Sequence, residues 1–76
     1  MANTKNEDRL IKLGEAVRAR RVEQHISQRK LAQMIGNSEN HSYIGRLERG
    51  EIAARVDILF RIADALGVEA KDLLSF

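Results

Sequence analysis

The fold of this chain is decided by the stretch SQRKLAQMIGNSENHSYIGRLERG, which runs from Ser27 to Gly50. Its first half repeats apolar residues at the spacing of a helix: Leu31, Ala32 and Ile35. Ser27 is a candidate N-cap before them, and Gly36 follows them as a candidate C-terminal residue. The pattern predicts a short helix that Gly36 terminates.

The second half of this stretch predicts another helix with two different sides. Ile44 and Leu47 lie three residues apart and mark the side that faces a core. The opposite side carries small and polar groups and one long cation: His41, Ser42, Gly45 and Arg46. Such a surface suits a DNA groove better than a protein core, so the stretch predicts a helix-turn-helix.

The composition limits the class of protein. With 76 residues the chain can bury one small core, so we expect one domain and no separate catalytic domain. Pro and Cys are absent and only one Tyr and two Phe occur, which favours an all-helical bundle and excludes thiolate metal sites. No apolar run approaches the roughly 20 residues that a membrane span needs, and the first eight residues are too polar for a signal peptide. We therefore expect a cytoplasmic protein without a membrane partner.

Charge is distributed unevenly along the chain. Residues 1–50 carry ten Lys or Arg against six Asp or Glu, a balance of +4, and residues 51–76 carry three against five, a balance of −2. The basic half contains the helix pair. Because release of counterions from phosphates drives DNA affinity, a basic half that contains the helix pair favours a DNA-binding protein. Without the helix pair, the same charges would more simply indicate a solvated helix face.

The N-terminal third predicts an arm and one long helix. Residues 1–7 are polar and are expected to form a flexible arm, either disordered or reaching along DNA. Residues 8–76 form the domain, in which helix 1 runs from about Asp8 to Gln24. Arg21 continues the apolar stripe of that helix, so either its stem packs and its head reaches solvent, or it meets a buried acid. Glu48 is the acid that we expect.

Helix 2 is expected from about Gln28 to Ile35, and Gln28, Arg29 and Lys30 lie in its first turn. Cations there are unfavourable for the isolated helix but favourable when a polyanion crosses its N-terminus. Helix 3 is expected to begin after Asn40 as N-cap and to end at Gly50. Gly45 inside it costs about 1 kcal/mol relative to Ala, so it either permits a close approach or is a tolerated weakness.

The C-terminal third predicts two more helices. Helix 4 runs from Val56 to Leu66 before Gly67, and the residues expected inward are Val56, Leu59, Ile62, Ala63 and Leu66. A last short helix from Glu69 to about Ser75 is expected to be held on the core by three apolar residues: Val68, Leu73 and Leu74. The total is five helices.

Four sequence blocks resemble a known family in order and spacing: LGEAVRARR, ISQRKLAQMIG, SYIGRLERG and LFRIADALGV followed by DLL. Together they make the chain similar, over roughly Leu10 to Leu74, to the lambda-repressor-like or Cro-type helix-turn-helix family, the XRE family. The resemblance implies a compact all-α, five-helix DNA-binding domain whose helices 2 and 3 form the helix-turn-helix. It also implies a dimer on a two-fold-related operator that regulates transcription.

The resemblance implies roles for individual residues. Gln28 matches a residue that holds a backbone phosphate and supports the first side chain of the recognition helix. The positions that face base edges are His41, Ser42 and Arg46, with Gly45 between them. Arg46 could bind guanine O6 and N7 in a bidentate contact. Arg21 and Glu48 match an ion pair that ties helix 1 to helix 3. The remaining phosphate candidates are Arg29, Lys30, Arg55 and Tyr43, of which Tyr43 either packs into the domain or donates its hydroxyl to phosphate.

Three positions depart from the family pattern. The segment between Gly36 and Tyr43 is two residues longer than usual, so either the turn bulges or helix 3 begins before Asn40. His25 replaces the Gly that often ends helix 1 with a positive φ, which predicts a strained or altered corner. Ala54 replaces a common Pro before helix 4.

Catalysis and metal binding have little support in the sequence. His25 and His41 are the only imidazoles, and no carboxylate spacing completes a metal site around them. The Ser residues have no convincing His and acid partners for a nucleophilic triad. The sequence also has no Gly-rich loop of the kind that binds phosphate. We therefore predict no enzymatic activity and no cofactor.

The C-terminal half carries more apolar surface than one small core is expected to absorb. Four residues are candidates for a dimer interface: Ile52, Ile58, Phe60 and Phe76. Phe60 is alternatively a core residue. A homodimer would space its recognition helices by about 34 Å, which predicts a palindromic site in double-stranded DNA.

The leading hypothesis is a sequence-specific transcriptional regulator that acts without a cofactor, with repression favoured over activation. Within that class the chain could be a phage repressor, a restriction-modification controller or an antitoxin, with polymerase or a toxin as a protein partner. The alternative is a protein-interaction module that uses the same helical fold without binding DNA.

Overall fold

The computed structural model describes residues 4–36 and 42–76, and within these ranges the chain folds into five α-helices without a β-strand. The helices are α1 (Thr4–Glu23), α2 (Gln28–Met34), α3 (Ser42–Glu48), α4 (Val56–Leu66) and α5 (Ala70–Leu73). The five-helix all-α prediction is confirmed. In these ranges no helix is both long enough and apolar enough to cross a bilayer.

One apolar core joins all five helices. Every helix contributes at least one fully buried large side chain: Val17, Leu31, Ile44, Leu47, Ile62 and Leu73. Burial of each such side chain contributes about 1.5 to 3 kcal/mol before the loss of chain entropy is counted. Because α3 supplies Ile44 and Leu47 to this core, one side of α3 is fixed inward and the other is left outside.

Local chemistry explains where most helices begin and end. The Ser27 hydroxyl accepts a hydrogen bond from the Lys30 amide at 2.9 Å and caps α2, as the sequence predicts. Gly67 adopts a left-handed conformation at the end of α4. His25, at φ 59°, is the only residue other than Gly with a positive φ in the described ranges, so the corner after α1 has the conformation usually given to Gly.

Two predicted boundaries are wrong, and a third lies outside the described residues. Helix α1 begins at Thr4, so residues 4–7 of the expected arm are helical, and residues 1–3 lie outside the described ranges. No Gly or Pro interrupts this segment, and Glu7 is favourable in a first turn, which allows the helix to extend upstream. The expected N-cap Asn40 also lies outside the described residues. Helix α5 spans only Ala70–Leu73. The Asp72 carboxylate accepts a hydrogen bond from the Glu69 amide, which makes Glu69 the N-cap, and Leu74 is the C-cap residue.

Two glycines set the distance between α1 and the end of α3. A Cβ atom on Gly14 would lie 2.5 Å from the carbonyl oxygens of both Leu47 and Glu48. A Cβ on Gly50 would lie 2.9 Å from the Cα of Ile11, one turn earlier on α1. The backbones of α1 and α3 therefore touch where no side chain fits, and this contact holds the C-terminal end of α3 in place.

Candidate nucleic-acid interface

The exposed side of α3 is the centre of the candidate site. Ser42 and Arg46 are exposed, whereas Ile44 and Leu47 are buried in the core. His41, the third predicted base-reading side chain, lies outside the described residues. The two described side chains therefore point away from the core, as a surface that contacts a groove requires.

An ion pair beneath this surface ties three helices together. The Arg21 guanidinium donates to both carboxylate oxygens of Glu48, from Nε at 2.6 Å and from Nη2 at 2.9 Å. Its Nη1 donates to the Ile26 carbonyl at 2.8 Å, and the Gln28 amide donates to Glu48 Oε1 at 3.0 Å. Of the two interpretations left open for Arg21, the buried acid is the one observed. The network fixes α3 against α1 and against the start of α2.

Gln28 and Gly45 form one unit. A Cβ atom on Gly45 would lie 3.2 Å from Gln28 Oε1 and 3.1 Å from Arg49 Nη1. Two side chains therefore cover Gly45, which is buried, and a base contact at Gly45 would require both to move. Of the two interpretations of Gly45, the structure favours close approach, because the missing Cβ leaves room for Gln28 to reach Glu48.

The first turn of α2 presents free cations beside this unit. Arg29 and Lys30 are exposed, and neither forms an ion pair with another described residue. Both follow the Ser27 cap, at the helix end where the backbone dipole is positive. The first turn of α2 thus offers exposed positive charge next to Gln28 in the chain.

Tyr43 and Arg55 lie together on the flank of α3. Tyr43 is half-buried and packs against the core. Burial raises the pKa of its phenol, while Arg55 lowers that pKa and Asp57 raises it. The hydroxyl is therefore protonated at neutral pH and able to donate to a phosphate. The Arg55 side chain is exposed and its Nε lies 3.4 Å from the Asp57 carboxylate.

The sequence analysis missed Arg49. Its side chain is 60% exposed, it lies over Gly45, and it forms an ion pair with Glu51. Arg49 lies three residues after Arg46 and seven after Ser42, so helical spacing places it on the same side of α3. That spacing is the signal that could have identified it.

The four expected interface residues separate into two groups. Phe60 and Phe76 are 55% and 51% exposed, whereas Ile52 and Ile58 are half-buried and pack against the core. The alternative of Phe60 as a core residue is therefore wrong. Val56, expected inward, is 64% exposed one turn from Phe60, and Leu74, expected to hold the last helix, is also exposed. An amphipathic helix of 11 residues has a limited inward arc, and Leu59, Ile62, Ala63 and Leu66 fill it.

No group of three or more His, Asp or Glu side chains spaced for a metal ion occurs within residues 4–36 and 42–76. An open depression of about 470 Å³ lies apart from the face of α3 and is lined by Met34, Ile35, Arg61, Asp64 and Ala65. None of the predicted site residues borders it.

Comparisons with known proteins identify the family and the fold. The HTH_3 family model, described as helix-turn-helix, matches residues 17–73. The fold is similar to the crystal structure of the restriction-modification controller protein C.AhdI from Aeromonas hydrophila, with a TM-score of 0.79 and 33% sequence identity. That match covers 84% of this chain and 94% of C.AhdI. No curated protein matches the sequence.

Proposed function

The chain belongs to the HTH_3 helix-turn-helix family, and from that membership we propose that it is a sequence-specific DNA-binding regulator of transcription whose α3 enters the major groove. The observation that carries the proposal is the exposed side of α3. Ser42 and Arg46 project from a helix whose opposite side is locked by Leu47 and by the ion pair of Glu48. A rigid support of this kind is what base recognition requires.

Phosphate contacts would orient the domain around that helix. Gln28, Arg29 and Lys30 lie at the N-terminus of α2, and Tyr43 and Arg55 lie on the other flank of α3. In this proposal these residues hold the two edges of the groove, while Arg46 binds a guanine edge. His41 remains a proposed base-reading residue.

We propose further that the protein acts as a homodimer on a palindromic operator. Phe60 and Phe76 expose apolar surface in the C-terminal half, and Val56 and Leu74 add to it. Burial of such side chains between two copies would stabilise a dimer with its α3 helices about 34 Å apart. Repression of the bound promoter follows if the operator overlaps it. The similarity to C.AhdI favours a restriction-modification controller among the possible regulators.

Selection of bound fragments from random DNA tests this function. The expected product is a palindromic consensus, which the wild type binds with strong salt dependence in a mobility-shift titration. Arg46→Ala combined with Gln28→Ala should abolish specific binding while circular dichroism stays helical. Arg61→Ala is the matched control, because it removes an exposed cation from α4.

The alternative function is a protein-interaction module, with polymerase or a toxin as the partner. The exposed Phe60 and Phe76 are the observation in its favour. A wild-type protein without salt-dependent DNA binding would reject the DNA-binding proposal and support this alternative.

A further inference from the structure

Glu51 is held rigidly at the C-terminal end of α3. Its amide donates to the Arg46 carbonyl at 3.0 Å, and the Gly50 amide donates to the Leu47 carbonyl at 3.0 Å. Gly50 has φ +74°, so residues 46–51 form the left-handed closure that commonly ends helices. The position of Glu51 relative to α3 is therefore set by backbone contacts.

The Glu51 carboxylate faces the cations of the candidate DNA surface. Its Oε2 lies 2.5 Å from Nε of Arg49. The hydrogen bond from Arg49 lowers the pKa of the Glu51 carboxyl, and the charge of Arg46 lowers it as well. One carboxylate thus offsets part of the positive charge on the exposed side of α3.

Stability of the helix does not explain this placement. The C-terminal end of a helix carries a partial negative charge, so a carboxylate beside it is unfavourable and a cation is preferred. An ion pair between side chains as exposed as Arg49 and Glu51 adds little to folding. Because neither effect on stability favours Glu51, its main consequence is for what the Arg49 guanidinium can bind.

We propose that Glu51 is a specificity-determining residue that occupies the Arg49 guanidinium in the free protein and so limits its contact with DNA phosphates. This inference rests on the proposed DNA-binding function. A phosphate or a guanine edge must displace the carboxylate before Arg49 can contact it. Affinity for arbitrary DNA is thereby held down, and Arg49 is available only to an acceptor that competes with Glu51.

The test measures binding to a random-sequence duplex of about 20 base pairs, labelled for fluorescence anisotropy, over a range of salt concentrations. Glu51→Gln should bind about 3- to 10-fold more tightly at low salt, since one more cation becomes free to meet phosphate. The magnitude of the salt slope should rise by about one, because one more counterion is released. Thermal melts should show unchanged folding.

Two controls separate this effect from net charge. Glu23→Gln makes the same charge change at the exposed end of α1 and should alter affinity by less than about twofold. Arg49→Ala should remove the effect, so that the double variant Arg49→Ala/Glu51→Gln binds like Arg49→Ala alone. An equal gain from Glu23→Gln, or a gain that survives in the absence of Arg49, would overturn the inference.

The outcomes also distinguish the inference from the function beneath it. Wild-type binding that Glu51→Gln leaves unchanged would reject the role of Glu51 alone. Failure of both proteins to bind any duplex would reject the inference together with the DNA-binding proposal.

Discussion

At the scale of single residues, the buried ion pair is the most consequential feature. Glu48 is 6% exposed and its carboxylate accepts three hydrogen bonds, two of them from Arg21. Removal of one partner leaves a buried charge without compensation. We predict that Arg21→Ala lowers the free energy of unfolding by about 3 to 5 kcal/mol in urea denaturation. Gln28→Ala, which removes one hydrogen bond to Glu48, should cost about 1 kcal/mol. Equal costs for the two variants would contradict this account.

The corner at His25 gives the opposite prediction, a stabilising change. A left-handed conformation costs an ordinary residue about 1 to 2 kcal/mol, and Gly avoids that cost but loses chain entropy. His25→Gly should therefore raise the free energy of unfolding by about 0.5 to 1 kcal/mol. Gly36→Ala is the matched reverse change, at φ +79° with no atom within 4 Å of the added Cβ, and should lower it. A lower melting temperature for His25→Gly would count against strain at this corner.

Residues differed in how well the sequence predicted them. The partner of Arg21 could be inferred because a cation within an apolar stripe either reaches solvent or meets a buried acid, and Glu48 was the acid expected. The pair of Arg49 and Glu51 could not be inferred, because it depends on the direction in which the chain leaves Gly50. His25 could be singled out because the family that the sequence resembles often has Gly at this position.

At the scale of helices, two glycines should respond differently to the same substitution. A Cβ on Gly14 would meet the backbone carbonyls of α3, whereas a Cβ on Gly45 would meet only side-chain atoms of Gln28 and Arg49. We predict that Gly14→Ala destabilises the fold by about 1 to 3 kcal/mol. Gly45→Ala should change stability by less than about 1 kcal/mol, because the helix propensity gained by Ala offsets the weakened hydrogen bond from Gln28 to Glu48, and it should weaken DNA binding by displacing Gln28. Urea denaturation and mobility-shift titrations of both variants measure these effects.

The reverse order of stability would show that α1 does not hold α3 through Gly14.

The ends of the helices differed in how well the sequence predicted them. Both ends of α4 were predictable, since its apolar period is strong and Gly67 marks its end. The N-terminal extension of α1 was not, because residues 4–7 carry no apolar period and are exposed.

At the scale of the whole molecule, the exposed aromatic residues predict the state of assembly. If two copies meet through α4 and the C-terminal residues, Phe60→Ser should shift sedimentation from dimer to monomer and weaken operator binding by about tenfold or more. Met34→Ser is the control, since Met34 is an exposed apolar residue on α2. A wild-type protein that sediments as a monomer at high concentration, or a Phe60 variant that stays dimeric, would reject this interface.

The overall fold was largely predictable because four blocks of sequence agree on one arrangement of helices. The sequence predicted less well which residues of the C-terminal half are buried. Val56 and Leu74 fit the spacing of buried residues, and only the positions of the neighbouring helices show that they are exposed. The number of apolar residues in the sequence does not identify a dimer interface, because the interface also depends on the shape of the surface.

Amide chemical-shift mapping locates the surface that contacts DNA, which we place on the exposed side of α3. The ¹⁵N-labelled protein is titrated with the duplex obtained by selection from random DNA. The largest changes are expected on residues 28–30 and 42–51, with little change at Arg61 and Ala65 on α4. Changes concentrated on α4, with Ser42 and Arg46 unaffected, would contradict this placement.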